Sequence, residues 1–357
     1  MSDSTTDASA PISIHRFPRT RYQGSKRKLV AGIVEELEPL VFITVLDAFG
    51  GTGAVSYALK CAGKAVTYND LLAFNHQIGR ALIENDSIRL DDDAIEAVCV
   101  GRPSTAFPGF IEKTFGGIYY TDEENRWLDG AVAAIGRLAC SYQQSLAWFA
   151  LAQSALAKRP YNLFHRRNLY MRTADVPRSF GNKTSWDRPF EDHFCTFAAE
   201  ANRAVIDGGG RCRAICDDAL AIEPNYDLVY IDTPYINRSG VGVNYRDFYH
   251  FLEGMVRYDD WPGMIDAASK HRRLIRKPDP WSDAGVCHEA FRRLFDHFRR
   301  SMIVVSYRSN GIPSIEELVG LLREVKSNVR VVESSRYQYA LSTRCNTHEV
   351  LLIGTDD

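Results

Sequence analysis

Short apolar runs, each ending in an acid, a glycine or a serine-rich turn, recur along the 357 residues and predict the strands of a sheet. Residues 41–46 form the first run, unbroken by polar alternation as in a strand buried on both faces of a parallel sheet. The chain then passes through Asp47-Ala48-Phe49-Gly50-Gly51-Thr52-Gly53 into 54–60, which has helical character, with Gly63 as its stop. A second run, 64–68, ends at Asn69-Asp70, so 41–70 reads as a βαβ opening. Two further buried strands are predicted at 226–231 and 302–306. The first runs into Asp232-Thr233-Pro234-Tyr235 and the second into Tyr307-Arg308-Ser309-Asn310-Gly311. The tail offers 329–333 and 349–353 as a closing, antiparallel pair. Between Asn75 and roughly Gly208 the strand rhythm stops. Residues 126–157 are rich in Ala and Leu and free of Pro, which predicts helices, until Lys158-Arg159-Pro160 breaks the pattern. An α/β sheet carrying a long, mainly helical insertion is the simplest reading. A third long connection, 236–298, carries helical segments near 248–255 and 288–300.

Composition narrows the class without changing the architecture. With 45% hydrophobic and 25% charged residues, collagen-like, disordered and disulfide-scaffold chains are excluded. No stretch reaches the ~20 apolar residues of a membrane span, so no membrane partner is expected. Residues 1–15 are polar and acidic at the start, unlike a secretory or transit peptide, and are expected to form a disordered tail. The eight cysteines include no CxxC pair, and neither they nor the nine histidines have metal-ligand spacing. Reduced cysteines, a cytoplasmic setting and no metal follow as expectations.

Net charge is only −2, yet it is unevenly spread. Six Lys/Arg and no acid lie between Arg16 and Lys28, and seven against one acid between Lys158 and Lys183. In the second run Lys158, Arg159, Arg166, Arg167, Arg172 and Lys183 interleave with Tyr161, Phe164, His165, Tyr170, Phe180 and, just beyond, Trp186. Asn162, Asn168 and Asn182 add amides. Such a surface neutralises phosphates and offers polar groups to bases. A solvated helix face over buried aromatics fits the composition equally well.

Two constellations carry candidate chemistry. A strand, an acid, a glycine turn and a helix receive a ligand at the helix N-terminus, and Asp70, 17 residues beyond Gly53, is placed to accept from ribose hydroxyls. Any nucleoside cofactor fits this alone. Ser56 stands where a dinucleotide fingerprint has Gly or Ala, and Asp47-x-Phe49-x-Gly51-x-Gly53 suits S-adenosylmethionine better than a pyrophosphate. The second is Asp232-Thr233-Pro234-Tyr235 at the carboxyl end of a strand. It joins a carboxylate, a restrained carbonyl and an aromatic face, a compact device for a planar amine.

Arg21-Tyr22-Gln23-Gly24-Ser25-Lys26-Arg27-Lys28, Asp47 to Gly53, Asn69-Asp70, the tetrad at 232–235 and Ser306-Tyr307-Arg308-Ser309-Asn310 occur in that order. The chain thereby resembles the α-class adenine-N6 DNA methyltransferases, the class that includes the GATC methylases, over about 16–75 and 208–357. The resemblance implies a Rossmann-like sheet, mostly parallel with one antiparallel strand near the C-terminus. It also implies a catalytic domain at 16–75 and 208–357 and an inserted DNA target-recognition domain at 76–207. It assigns Tyr22 and Lys26 to the methionine end of S-adenosylmethionine, the turn with Asp47, Phe49, Gly51 and Gly53 to cradling it, and Asp70 to its ribose. Asp217 or Asp218 would meet its adenine, and Asp232, Thr233, Pro234 and Tyr235 would form the catalytic pocket. The family usually has Pro where this chain has Thr233; the role there belongs to the carbonyl, which the substitution keeps.

Duplex DNA is the implied partner, with a companion restriction endonuclease acting separately and a nucleoid setting when DNA is bound. Adenine methylation of RNA, a non-catalytic DNA-binding module and a hydride-transferring dehydrogenase are the competing readings. Less specific candidates are Arg308, Ser309 and Asn310 near the pocket or phosphate, and Tyr245, Tyr249, His250 and Phe251 as a pocket cover or as core. Lys270, Arg272, Arg273, Arg276 and Lys277 are a further basic stretch.

Overall fold

The computed structural model describes residues 16–101, 109–175, 183–333 and 348–356; the tail 1–15, Phe180 and Asn182 lie outside the described residues. Among the described residues nine strands are formed: β1 (Thr44–Asp47), β2 (Ala65–Asn69), β3 (Arg213–Ile215), β4 (Leu228–Ile231), β5 (Ile236–Asn237), β6 (Met302–Arg308), β7 (Gly311–Ile312), β8 (Asn328–Glu333) and β9 (Glu349–Thr355). Seven make one sheet in the order β3-β2-β1-β4-β6-β9-β8, and β5 and β7 pair beside it. Neighbours from β3 to β6 are parallel, whereas β9 is antiparallel to both β6 and β8. One strand near the C-terminus therefore runs against the rest, as expected.

The unbroken apolar runs have a simple cause. Along β1, Val45 joins the core on one face and Leu46 the core on the other. Along β4, Leu228 and Tyr230 alternate in the same way with Val229 and Ile231. Both faces are covered, so every position is apolar. The first run overshoots its strand: Val41 and Ile43 are 93% and 72% exposed, and β1 begins only at Thr44. The Ile43 and Thr44 amides donate to Asp227 Oδ2 at 2.9 and 2.8 Å, which marks where the chain enters the sheet. Edge strand β3 gave no apolar signal because none of its three residues is buried.

Within the insertion the expected helical stretch is two helices, Asp122–Arg137 and Ser141–Ala157. The first opens on a reciprocal capping box between Thr121 and Glu124. A third long helix, Phe190–Ala204, packs beside Ser141–Ala157, and both share the buried cluster that holds Val45 and Tyr68. The Tyr57 hydroxyl donates to the Ala204 carbonyl at 2.7 Å across this junction. The insertion is separate in chain order but continuous with the sheet in packing.

Candidate active site

The chain leaves β1 towards β2 and returns on the opposite side of β1 as β4, so the carboxyl ends of β1 and β4 flank a switch point where ligands bind in open α/β sheets. Asp47 ends β1, and the glycine turn follows. Gly51 and Gly53 have φ of +51° and +74°, which disfavours side chains. A Cβ on Gly50 would stand 2.2 Å from the Tyr68 ring, whereas one on Gly51 meets nothing nearer than the Phe49 carbonyl at 3.9 Å. The turn is held from β2: the Gly50 amide donates to the Asn69 carbonyl at 2.7 Å and the Gly51 amide to Asp70 Oδ2 at 3.0 Å. Asp70 also accepts from the Leu72 amide at 2.8 Å and Asn75 Nδ2 at 3.0 Å. Burial raises its carboxyl despite these donors.

A cavity of about 360 Å³ opens over this turn, within the size range of small-molecule sites. Tyr22 stacks between Tyr245 and Tyr249 at 5.5 and 4.5 Å, with Tyr22 and Tyr245 on the cavity wall. Phe49 meets the Trp281 ring edge to face at 5.1 Å on another side. Asp47 is buried there; Ser56 donates to its Oδ2 at 2.6 Å, and its Oδ1 finds no partner among the described residues. Burial pushes its carboxyl up to about 7, with Asp232 and Asp70 adding like charge. An orphaned buried acceptor, a cradle of glycines and stacked aromatics fit a cationic nucleoside such as S-adenosylmethionine. A larger cavity, about 960 Å³, is lined by Arg16, Lys64, Asp86 and Asp207 and by none of the predicted cofactor or catalytic residues, so size does not decide the site.

Asp232, Thr233, Pro234 and Tyr235 line the same cavity from the end of β4. Asp232 is anchored through one oxygen: Oδ1 accepts from Lys26 Nζ at 2.7 Å and from the Tyr235 hydroxyl at 2.7 Å. Lys26 Nζ also pairs with Glu349 Oε1 at 2.9 Å and contacts the Tyr235 hydroxyl. Ser306 donates to Glu349 Oε1 at 2.6 Å. Burial raises the Asp232 carboxyl, Lys26 pulls it back and Glu349 raises it further. Lys26 thus sits between two carboxylates, Asp232 and Glu349. Tyr235 turns its hydroxyl inward to this cluster and packs its ring edge to face on Tyr307 at 5.1 Å. Thr233 is buried, and its Oγ1 has no partner among the described residues.

Asp217 and Asp218 are exposed at the cavity rim. The Asp217 carbonyl and amide are clamped by the Asn69 side chain, and Asp218 caps the following turn at the Leu220 amide, 2.9 Å away. Tyr249, His250 and Phe251 are core, while Tyr245 serves the cavity. Arg276 and Lys277 reach the cavity, with Arg276 paired to Asp247 at 3.0 Å, whereas Arg273 pairs with Asp266. Arg308 donates to Asn310 Oδ1 at 2.6 Å.

The basic run divides, against expectation. Lys158, Arg159 and Arg172 are buried, so they cannot meet a duplex. Lys158 and Arg172 converge on Glu124 at 2.9 and 2.6 Å. The Arg159 guanidinium lies 4.3 Å from the Tyr119 ring centroid and donates to the Leu163 carbonyl at 3.0 Å. These three tie the insertion together from within. Arg166, Arg167 and Lys183 are on the surface, Lys183 paired with Asp187 at 2.8 Å, and Tyr161 and Tyr170 are exposed beside them. Phe164 and Trp186 are core.

Glu349, Trp281 and Asn75 were missed. Glu349 and Trp281 lie far in sequence from the motifs they serve, and Asn75, five residues beyond Asp70, carries no motif signal of its own. Among the described residues no group of three or more His, Cys, Asp or Glu is placed to hold a metal. No described helix is long and apolar enough to cross a membrane.

The chain is similar to the Type II methyltransferase M2.HphI of Haemophilus parahaemolyticus, 27% identical over 329 residues that cover 89% of this chain and 91% of that protein. It is also similar to the modification methylase StsI of Streptococcus sanguinis, 26% identical over 332 residues covering 85% of this chain and 46% of the relative. The modification methylase LlaI of Lactococcus lactis subsp. lactis is 24% identical over 337 residues, 89% of this chain and 51% of its own length. The chain spans about half the length of these last two. The family described as D12 class N6 adenine-specific DNA methyltransferase matches residues 22–260, a span that holds the glycine turn, Asp70 and the tetrad in one cavity, and the chain belongs to that family.

Proposed function

We propose that the cavity binds S-adenosylmethionine beside an adenine flipped out of duplex DNA, and that its methyl group goes to N6. One observation carries this reading: Asp232 and the glycine turn line a single cavity at the switch point of the sheet. The turn with Asp47, Phe49, Gly51 and Gly53 would hold the cofactor, with Tyr22 on the aromatic wall. Asp70 is placed for the ribose, having one lone-pair position left after its three donors. Asp217 or Asp218 is placed for the cofactor's adenine at the rim. Lys26 is reassigned to the acid. When bound, S-adenosylmethionine supplies an electrophilic methyl on a sulfonium.

Asp232 Oδ2 and the Thr233 carbonyl accept the two N6 hydrogens, which draws the nitrogen lone pair out of conjugation. Pro234 restrains that carbonyl and Tyr235 closes the pocket floor. The proton displaced from N6 passes to Asp232 Oδ2, whose burial favours accepting it. Flipping costs roughly a few kcal/mol, which contacts with the extruded base offset. Arg166, Arg167 and Lys183 face the phosphates, and the insertion selects the target sequence. The names of the relatives support a modification role; a separate endonuclease as partner and a nucleoid setting in the cytoplasm go with that reading.

The test is mass spectrometry of duplex DNA incubated with the protein and S-adenosylmethionine. N6-methyladenine is expected from the wild type. Asp232→Ala should lower its yield by about 10²–10³-fold or more while cofactor affinity by calorimetry persists. Substantial turnover in that variant, or methylation of folded RNA in preference to duplex DNA, sinks the reading.

A further inference from the structure

The catalytic acid is not supported by its own strand alone. Glu349 opens β9, the one strand that runs against the sheet, and lies beyond the residues matched by the family. Its carboxylate is buried and reaches Lys26 at 2.9 Å, the Tyr235 hydroxyl at 2.9 Å and the Ser306 hydroxyl at 2.6 Å. Lys26 and Tyr235 are also the two groups that hold Asp232 Oδ1. Two buried carboxylates therefore share one ammonium and one hydroxyl, through contacts that all fall on Oε1 of Glu349 and Oδ1 of Asp232. A lone Lys26–Asp232 pair would place the full positive charge on the acid and weaken it as an acceptor for an amine. Sharing Lys26 with a second anion leaves Asp232 the more basic acceptor while its rotamer stays fixed.

We infer that Glu349 is a positioning residue for methyl transfer, holding Lys26 and Tyr235 so that Asp232 presents Oδ2 to the adenine amine as a strong acceptor. The inference rests on the methyl-transfer reading of the site. Glu349 touches no substrate; it acts through Lys26 and Tyr235. The other ionisable groups that face Asp232 are Asp47 from β1, Tyr230 from β4 and Tyr245, and of these Tyr245 also feels the Glu349 charge.

The experiment compares Glu349→Gln, Glu349→Asp and Asp232→Ala in the full chain, using S-adenosylmethionine and a duplex that the wild type methylates. In Glu349→Gln, kcat should fall about 10- to 100-fold, because misplacement by an ångström has that scale of effect. The KM values for cofactor and DNA should stay within about twofold. The acid limb of the kcat profile should move to lower pH, since a like charge beside Asp232 has gone. Glu349→Asp keeps the charge with a shorter reach, so its acid limb should stay at the wild-type position with kcat between those of the wild type and Glu349→Gln. A Glu349→Gln protein with wild-type kcat and an unmoved acid limb overturns the inference, as does a loss confined to KM or to thermal stability. If Glu349→Gln does not fold, Glu349→Asp decides: lowered kcat at an unchanged limb supports it and wild-type kcat overturns it. Activity in Asp232→Ala sinks the methyl-transfer reading itself. An inactive Asp232→Ala beside a wild-type Glu349→Gln sinks only the positioning role.

Discussion

Asp47 is a residue whose chemistry departs far from its surface form. Its carboxyl is raised to about 7 because burial disfavours the charge and Ser56 satisfies only one oxygen. A folded-state value above the unfolded one means stability that is complete below about pH 4 and lost as pH rises through 7. Between those limits the loss is about 1.4 kcal/mol per pH unit. Asp47→Asn removes the titration. Chemical denaturation of the cofactor-free protein should find the variant more stable than wild type at pH 8, by a margin that narrows towards pH 5. A margin independent of pH would mean that Asp47 is ionised at little cost in the fold. Such a group is poised for a cation, and that reading was open only in part from sequence. The motif named Asp47, but its isolation depends on how the turn covers it.

At the scale of elements, the same basic run that read as one surface proves to be two things. Glu124, at the third position of the helix Asp122–Arg137, reaches back to the Thr121 amide at 3.0 Å and gathers Lys158 and Arg172 beneath the insertion. Burial by itself raises the Glu124 carboxyl, but Arg172 and Lys158 outweigh it and hold it low. Its contribution is therefore present above the ordinary glutamate range and fades as pH falls through the lowered value. Glu124→Gln should destabilise the fold by about 3 kcal/mol at pH 7, as expected when one partner of a buried ion pair is removed. The difference should shrink below pH 4 in denaturant titrations. An effect under about 0.5 kcal/mol would place the cluster among surface pairs. The helices were legible in the Ala- and Leu-rich stretch, but the destination of Lys158 and Arg172 was not, since charge count does not reveal which way a helix faces.

For the whole molecule, the division of the basic run makes DNA binding testable. Arg166→Ala with Arg167→Ala should lower duplex affinity and reduce the slope of log K against log salt by about 2, one per lost phosphate contact, with the unfolding midpoint unchanged. Arg172→Ala should lower the midpoint instead, because its guanidinium is committed to Glu124 and to the Trp186 carbonyl at 3.2 Å. Fluorescence anisotropy across a salt series, read beside thermal unfolding, separates the two. An unchanged slope in the double variant would mean that this face does not meet the duplex. The insertion and the sheet share one buried cluster, which runs through the helices Ser141–Ala157 and Phe190–Ala204.

The sequence by itself determined most strands of the main sheet, the two motifs at strand carboxyl ends and the family. Strands buried on both faces leave unbroken apolar runs, and the glycine turn and the tetrad are local devices whose residues are adjacent in the chain. Tertiary structure decided everything that depends on direction and distance across the fold. It put Lys26 against Asp232, 206 positions apart, and brought Glu349 from the reversed strand to share it. It buried Lys158, Arg159 and Arg172 while leaving Arg166 and Arg167 outside. The physical reason is common to these cases. A buried charge is tolerated only where partners converge on it from elements remote in sequence, and no local pattern encodes where those partners stand.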